Sequence, residues 1–136
     1  VSPPMNTEDL KTLEAIHLKV VEASPDAKVV VNEVGLIVVF NQQAELLFGY
    51  DRSEVMGEGI EMLLPEDKRE LHKSHRKTYF NSPKTREMGE GLLLQGRHRN
   101  GSLIPVQIKL APFPVAGAGV HTLAVVRRVM EPRHAN

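Results

Sequence analysis

Cysteine is absent from the 136 residues, and so is tryptophan. Without cysteine there are no disulfides, no thiolate metal sites and no cysteine nucleophile. The same absence fits a reducing compartment. An excess of charge is missing too, since 17 Lys+Arg balance 17 Asp+Glu. Nothing global therefore draws the chain to nucleic acid or an anionic membrane. The short basic stretch Arg97-His98-Arg99 reads as a solvated hairpin. No apolar run approaches the ~20 residues that cross a bilayer, and no signal-peptide pattern is legible. Phosphate-loop chemistry is missing as well. Gly57-Glu58-Gly59 lacks a further glycine and a helix behind it, and Gly89-Glu90-Gly91 opens a strand. The acidic pair Glu66 and Asp67 is explained by the positive end of a helix. With no hydrolase or transferase constellation, the chain reads as a binding module and not an enzyme.

What is present suffices for one domain, because hydrophobic residues make up 41% of the chain. Leu10, Leu13, Ile16 and Val20 recur at helical spacing, so a helix is expected from Thr7 to about Ala23. Asn6 or Thr7 caps it, and Ser24-Pro25 ends it. Two Val/Ile-rich runs, Lys28 to Asn32 and Leu36 to Phe40, predict a hairpin turning near Glu33-Val34-Gly35. Asn41 caps a short helix over Gln42 to Phe48, with Gly49 just past its end. A helical turn follows Asp51, another short or 3₁₀ segment spans Ile60 to Leu64, and the long central helix runs from Glu66 to Phe80. The last third reads as sheet. It has a strand from Glu90 to Arg97, an Asn100-Gly101 turn, an alternating strand from Leu103 to Pro112, a loop from Pro114 to Gly119, and a strand from Val120 to Val129. This order predicts an α+β antiparallel sheet with helices packed on one face.

The segments Ala23-Ser24-Pro25-Asp26-Ala27, Gly35-Leu36-Ile37-Val38-Val39-Phe40-Asn41, Ala44-Glu45-Leu46-Leu47-Phe48-Gly49-Tyr50, Leu63-Leu64-Pro65-Glu66 and Gly96-Arg97-His98-Arg99-Asn100-Gly101-Ser102 occur in this order. As an ordered set they resemble a PAS domain, over roughly residues 23–130. The resemblance implies a five-stranded antiparallel sheet in the order 2-1-5-4-3, with ligands held between the sheet and the central helix. It divides the chain into a flanking helix at 1–22, the PAS domain at 23–130 and a linker at 131–136. Where many members close on Asp-Ile-Thr, this chain has Arg128-Val129-Met130, and Pro132 opposes a helix running straight on.

The resemblance also implies function: a cytoplasmic sensory input domain of a larger signalling protein. The parent would be a histidine kinase, a cyclic-dinucleotide enzyme or a transcription regulator, and a transmitter domain would follow. The implied pocket is lined by Leu92, Leu94, Val106, Ile108 and Leu110 from strands and by Ile60, Leu64, Leu71 and His75 from helices. The same side chains would also serve as a filled core without ligand. His72 matches the helix histidine that ligates iron in haem-binding oxygen sensors of this family, so a b-type haem is one expectation. Leu92 stands where those sensors carry an arginine. His72 and His75 share a helix face, and at that spacing solvent-facing or partly buried histidines are the plainer reading. A flavin is less supported, because the adduct-forming cysteine is missing and only two tyrosines and four phenylalanines are available for stacking. The Leu10, Leu13, Ile16, Val20 stripe needs a partner, either the open face of its own sheet or, as is expected, its copy in a homodimer. The alternative is a ligand-free dimerisation module.

Overall fold

The computed structural model describes residues 4–81, 86–88 and 94–130. Helix α1 spans Thr7–Glu22. Asn6 Oδ1 accepts the Asp9 amide at 2.8 Å, and the Asp9 carboxylate accepts the Asn6 amide at 3.2 Å. This reciprocal cap satisfies two donors that no helical carbonyl reaches. Not one residue of α1 is buried.

Strands β1 (Ala27–Val31) and β2 (Ile37–Phe40) form the expected hairpin. Its turn is built by Asn32, whose side chain accepts the amides of Val34 and Leu36 at 3.1 and 3.0 Å. β1 ends one residue earlier than expected for this reason, since Asn32 bonds to the turn. Gly35 sits at φ 83°, which a side chain at that position would resist.

Helices α2 (Gln42–Phe48) and α3 (Arg52–Val55) follow, then 3₁₀ turns at Ile60–Leu63 and Glu66–Lys68, then α4 (Arg69–Asn81). The expected central helix thus begins as a 3₁₀ turn behind Pro65 and becomes α-helical at Arg69. The sheet is completed by β3 (Arg86–Met88), β4 (Leu94–Arg97), β5 (Leu103–Val115) and β6 (Gly119–Arg128).

All pairings are antiparallel, and the order is β2-β1-β6-β5-β3 with β4 also on β5. Met88 pairs with Ile108 and Leu94 with Val106, so β3 and β4 lie end to end along one side of β5. They occupy one position, which makes the sheet five strands wide in the order the resemblance implied. Residues 86–88 had not been expected in a strand, and the first part of the Glu90–Arg97 strand lies outside the described residues. β5 also continues through Pro112 and Pro114 to Val115, where a loop had been expected. Beyond Leu110 its pairing among the described residues is with β6.

Ala27, Val29 and Val31 from β1, Ile104 and Val106 from β5 and Val126 from β6 face the helices. They form one core with Ile37, Phe40, Phe48, Val55 and Leu63. The Phe40 and Phe48 rings meet with centroids 6.2 Å apart. A Cβ on Gly96 would come within 3.0 Å of the Phe48 ring, so glycine lets β4 close over it. Only part of the Leu46-Leu47-Phe48 run plugs this core. Phe48 is buried and Leu47 packs against it, but Leu46 points away and is exposed. Asn41 is fully buried and joins four segments. Its Nδ2 donates to Val21 O at 2.8 Å and Asp26 O at 3.1 Å, and its Oδ1 accepts from Lys28 N at 2.9 Å and Ala44 N at 3.0 Å.

Candidate functional site

A buried polar cluster interrupts this apolar interior where α4 meets the first 3₁₀ turn. His72 and Arg76 lie four residues apart on α4, hence on one face. Both reach Glu61, a carboxylate only 6% exposed in the turn Ile60–Leu63. Arg76 Nη2 donates to Glu61 Oε1 at 2.7 Å, and Arg76 Nη1 donates to Val34 O at 3.0 Å in the β1–β2 turn. His72 Nδ1 faces the other carboxylate oxygen, Oε2, at 3.4 Å. The guanidinium lies flat against Gly35, where a Cβ would sit 2.6 Å from Arg76 Nε. Glycine at 35 therefore serves the turn and the arginine together.

The cluster is not self-sufficient. Among the described residues, the buried atoms Glu61 Oε2, His72 Nδ1 and Arg76 Nε find no hydrogen-bond partner. The His72–Glu61 approach is a polar contact short of a formed hydrogen bond. Burial pushes the His72 pKa below its ordinary value. Glu61 opposes that shift, while Arg76 and His75 add to it. His72 is thus held as neutral imidazole, the form that donates at one nitrogen and offers a lone pair at the other.

The residues expected to line a pocket are distributed unequally. Val106 is fully buried, and Ile60, Leu94 and Ile108 pack against the core. Leu64, Leu110 and His72 are half-buried. Leu71 is 55% exposed and His75 is exposed, so α4 turns those two outward. Leu92 lies outside the described residues. Among the described residues no three His, Asp or Glu side chains converge as a metal site. Sequence reasoning missed Glu61, Arg76 and Gly35. The available signals were a single acid inside the apolar run Ile60-Glu61-Met62-Leu63-Leu64 and an arginine one turn after His72.

Away from this cluster, a hollow of about 140 Å³ lies between the end of α1, β2 and α3, lined by Leu18, Val21, Val38, Val39 and Met56 among others. The Glu22–Arg52 ion pair borders it.

With this architecture in place, comparison with known proteins is decisive at the level of family. The pattern of the PAS fold family matches residues 18–129. The chain belongs to the PAS family. This PAS domain is 33% identical over 114 residues to the oxygen sensor protein DosP of Escherichia coli, covering 84% of this chain and 14% of DosP. It is 29% identical over 108 residues to the sensor protein FixL of Bradyrhizobium diazoefficiens, covering 79% of this chain and 21% of FixL. The chain therefore spans about a fifth or less of these curated relatives. Among solved structures, the PAS domain of an HTR-like protein from Haloarcula marismortui superposes with TM-score 0.76 at 25% identity, covering 90% of this chain and 96% of that one. The PAS domain is a sensory module, and no described helix is long and apolar enough to cross a membrane.

Proposed function

We propose that the chain is the cytoplasmic, non-enzymatic input domain of a larger signalling protein. In this reading it binds a small ligand between the inner sheet face and α4 and passes a conformational signal to a downstream transmitter domain. The observation that carries the reading is the trio of buried, unpartnered polar atoms on Glu61, His72 and Arg76 beside apolar side chains. Mostly apolar sites with a few convergent polar groups are how proteins hold small molecules. Ligand binding would then bias one of two arrangements of α4 against the sheet. Extraction of the purified protein followed by mass spectrometry should recover a stoichiometric small molecule, and Glu61→Leu should abolish the recovery. Equal recovery from both proteins would remove the reading.

A b-type haem is the second reading, favoured by His72 itself. A neutral imidazole whose Nδ1 faces a carboxylate is chemically suited to hold an iron through Nε2. Likeness to an oxygen sensor protein adds support. Bound there, haem would supply an iron centre able to take a diatomic gas or an electron. Purified protein mixed with one equivalent of ferric haem is expected to develop a Soret band that His72→Ala loses. A flat spectrum, or a band His72→Ala retains, would remove this reading. A flavin is less supported, because the chain contains no cysteine.

The domain also acts as a homodimer in this proposal, through α1. Leu10, Leu13, Ile16 and Val20 are 48%, 36%, 51% and 57% exposed, and most helical stability in proteins comes from packing an apolar face. Two copies related by a twofold axis would each cover the other's stripe. Full-length chain carrying Leu13→Glu and Ile16→Glu should fall from dimer to monomer mass in light scattering. Substitution is the better test than removing residues 1–22, because Asn41 bonds to Val21 and Arg52 pairs with Glu22. An unchanged mass would eliminate the helix-mediated dimer.

A further inference from the structure

We propose that Glu61 is a positioning residue of the ligand site: it fixes His72 as the Nδ1–H tautomer and so presents the unprotonated Nε2 lone pair to an electron-pair acceptor, the class of ligand the site selects. The proposal rests on the reading that a ligand reaches His72, and it adds which atom of the ring meets it.

The ion pair with Arg76 does not fully account for the Glu61 carboxylate. Arg76 accounts for Glu61 Oε1 at 2.7 Å. Glu61 Oε2 is buried and has no hydrogen bond among the described residues, yet it faces His72 Nδ1 at 3.4 Å. A carboxylate oxygen is only an acceptor. An imidazole nitrogen bearing a lone pair is also an acceptor, and two acceptors facing each other in a buried site repel. Proton placement on Nδ1 removes the conflict. In a neutral ring that leaves Nε2 as the free acceptor. The groups facing His72 are Glu61 from the 3₁₀ turn and Arg76 and His75 from α4. Burial first, and Arg76 and His75 after it, disfavour a second proton on the ring, against the opposing pull of Glu61.

The carboxylate is held in its orientation from behind. Arg76 is anchored to Val34 O at 3.0 Å and seated on Gly35, so Oε1 is pinned and Oε2 is aimed. The β1–β2 turn therefore reaches the ligand site through one continuous relay, from Gly35 to Arg76 to Glu61 to His72. A carboxylate behind the distal nitrogen also raises the basicity of the nitrogen that binds.

Glu61→Gln tests this with an isosteric change. Arg76 is a pure donor and demands the amide oxygen. The amide NH₂ is then left facing His72 Nδ1, and a donor there makes Nδ1 an acceptor. The tautomer should invert. In ¹⁵N spectra of the labelled full chain, with His72 assigned by its loss in His72→Gln, the wild type is expected as the Nδ1–H tautomer. Glu61→Gln should change the tautomer ratio by about tenfold or more in favour of Nε2–H, as expected for a hydrogen bond to a charged group. Glu61→Leu, which removes both polar atoms, should also lose the Nδ1–H preference and serves if the glutamine variant does not fold. A wild type found as Nε2–H, or a ratio equal in all three proteins, overturns the proposal and leaves Glu61 as the ion-pair partner of Arg76 alone. Ferric haem added afterwards should bind Glu61→Gln about 10–100-fold more weakly than wild type. The tautomer measurement needs no ligand. A wild type that shows Nδ1–H but takes up no haem therefore refutes the haem reading while supporting the role of Glu61.

Discussion

Asn41→Ala is expected to lower the free energy of unfolding by about 3–5 kcal/mol, read as an earlier urea midpoint with an unchanged slope. The side chain is fully buried and makes four hydrogen bonds to backbone groups. Alanine leaves the amides of Lys28 and Ala44 and the carbonyls of Val21 and Asp26 without that partner, and a buried backbone group left unpaired costs about 1–3 kcal/mol. Part of the loss is also that of a helix cap, because Asn41 is the N-cap of α2. Asn41→Asp should be no better. It keeps the cap but turns a carboxylate oxygen toward the carbonyls of Val21 and Asp26, which need a donor. A cost under about 1 kcal/mol for the alanine variant would show that the segments do not depend on this side chain.

Arg76→Met should cost about 3–5 kcal/mol, because it strands the Glu61 carboxylate in the interior. Glu61 is 7% and Arg76 17% exposed at the side chain, so solvent cannot replace the lost cation. The double variant Arg76→Met with Glu61→Leu should recover most of that loss, since a buried pair exchanged for apolar groups is often neutral. The loss of the bond to Val34 O sets the part that stays lost. Denaturant unfolding of the two single variants and the double closes a cycle whose coupling measures the pair. Full additivity would mean that the two residues do not share a site.

Most of the backbone was legible because its punctuation is chemical. Asn6, Asn41 and Gly49 mark helix ends by hydrogen bonding and positive φ, and each stands where the structure uses it. Alternation along Ile104, Val106 and Ile108 told which face of β5 turns inward. Arg86–Met88 was illegible as a strand because three residues carry no periodicity. Its pairing to Leu110 and Ile108 is a tertiary fact. The end of β5 at Pro114 and Val115 was misread as loop because proline reads as a break along the chain, whereas the pairing with β6 that carries the strand onward is a tertiary fact.

The site was half legible. His72 could be singled out by the resemblance, and its neighbour Arg76 follows at helical spacing. Glu61 could not be found that way, because it meets His72 across eleven residues and a change of helix type. Conversely Leu71 and His75 were expected to close the pocket. The rotation of α4 that brings His72 and Arg76 to Glu61 turns both of them toward solvent.

The attachment of α1 has a mechanical consequence. Its last turn is gripped by Asn41 at Val21 O and by Arg52 at Glu22, and none of its 16 residues is buried. At 1.5 Å per residue it is a rod about 24 Å long clamped at one end. A pivot of about 10° at that clamp carries the free tip through about 4 Å. The clamp shares its asparagine with the start of α2, so a slight roll of α2 against the sheet would be magnified at the far tip into a displacement of nearly a side chain's breadth.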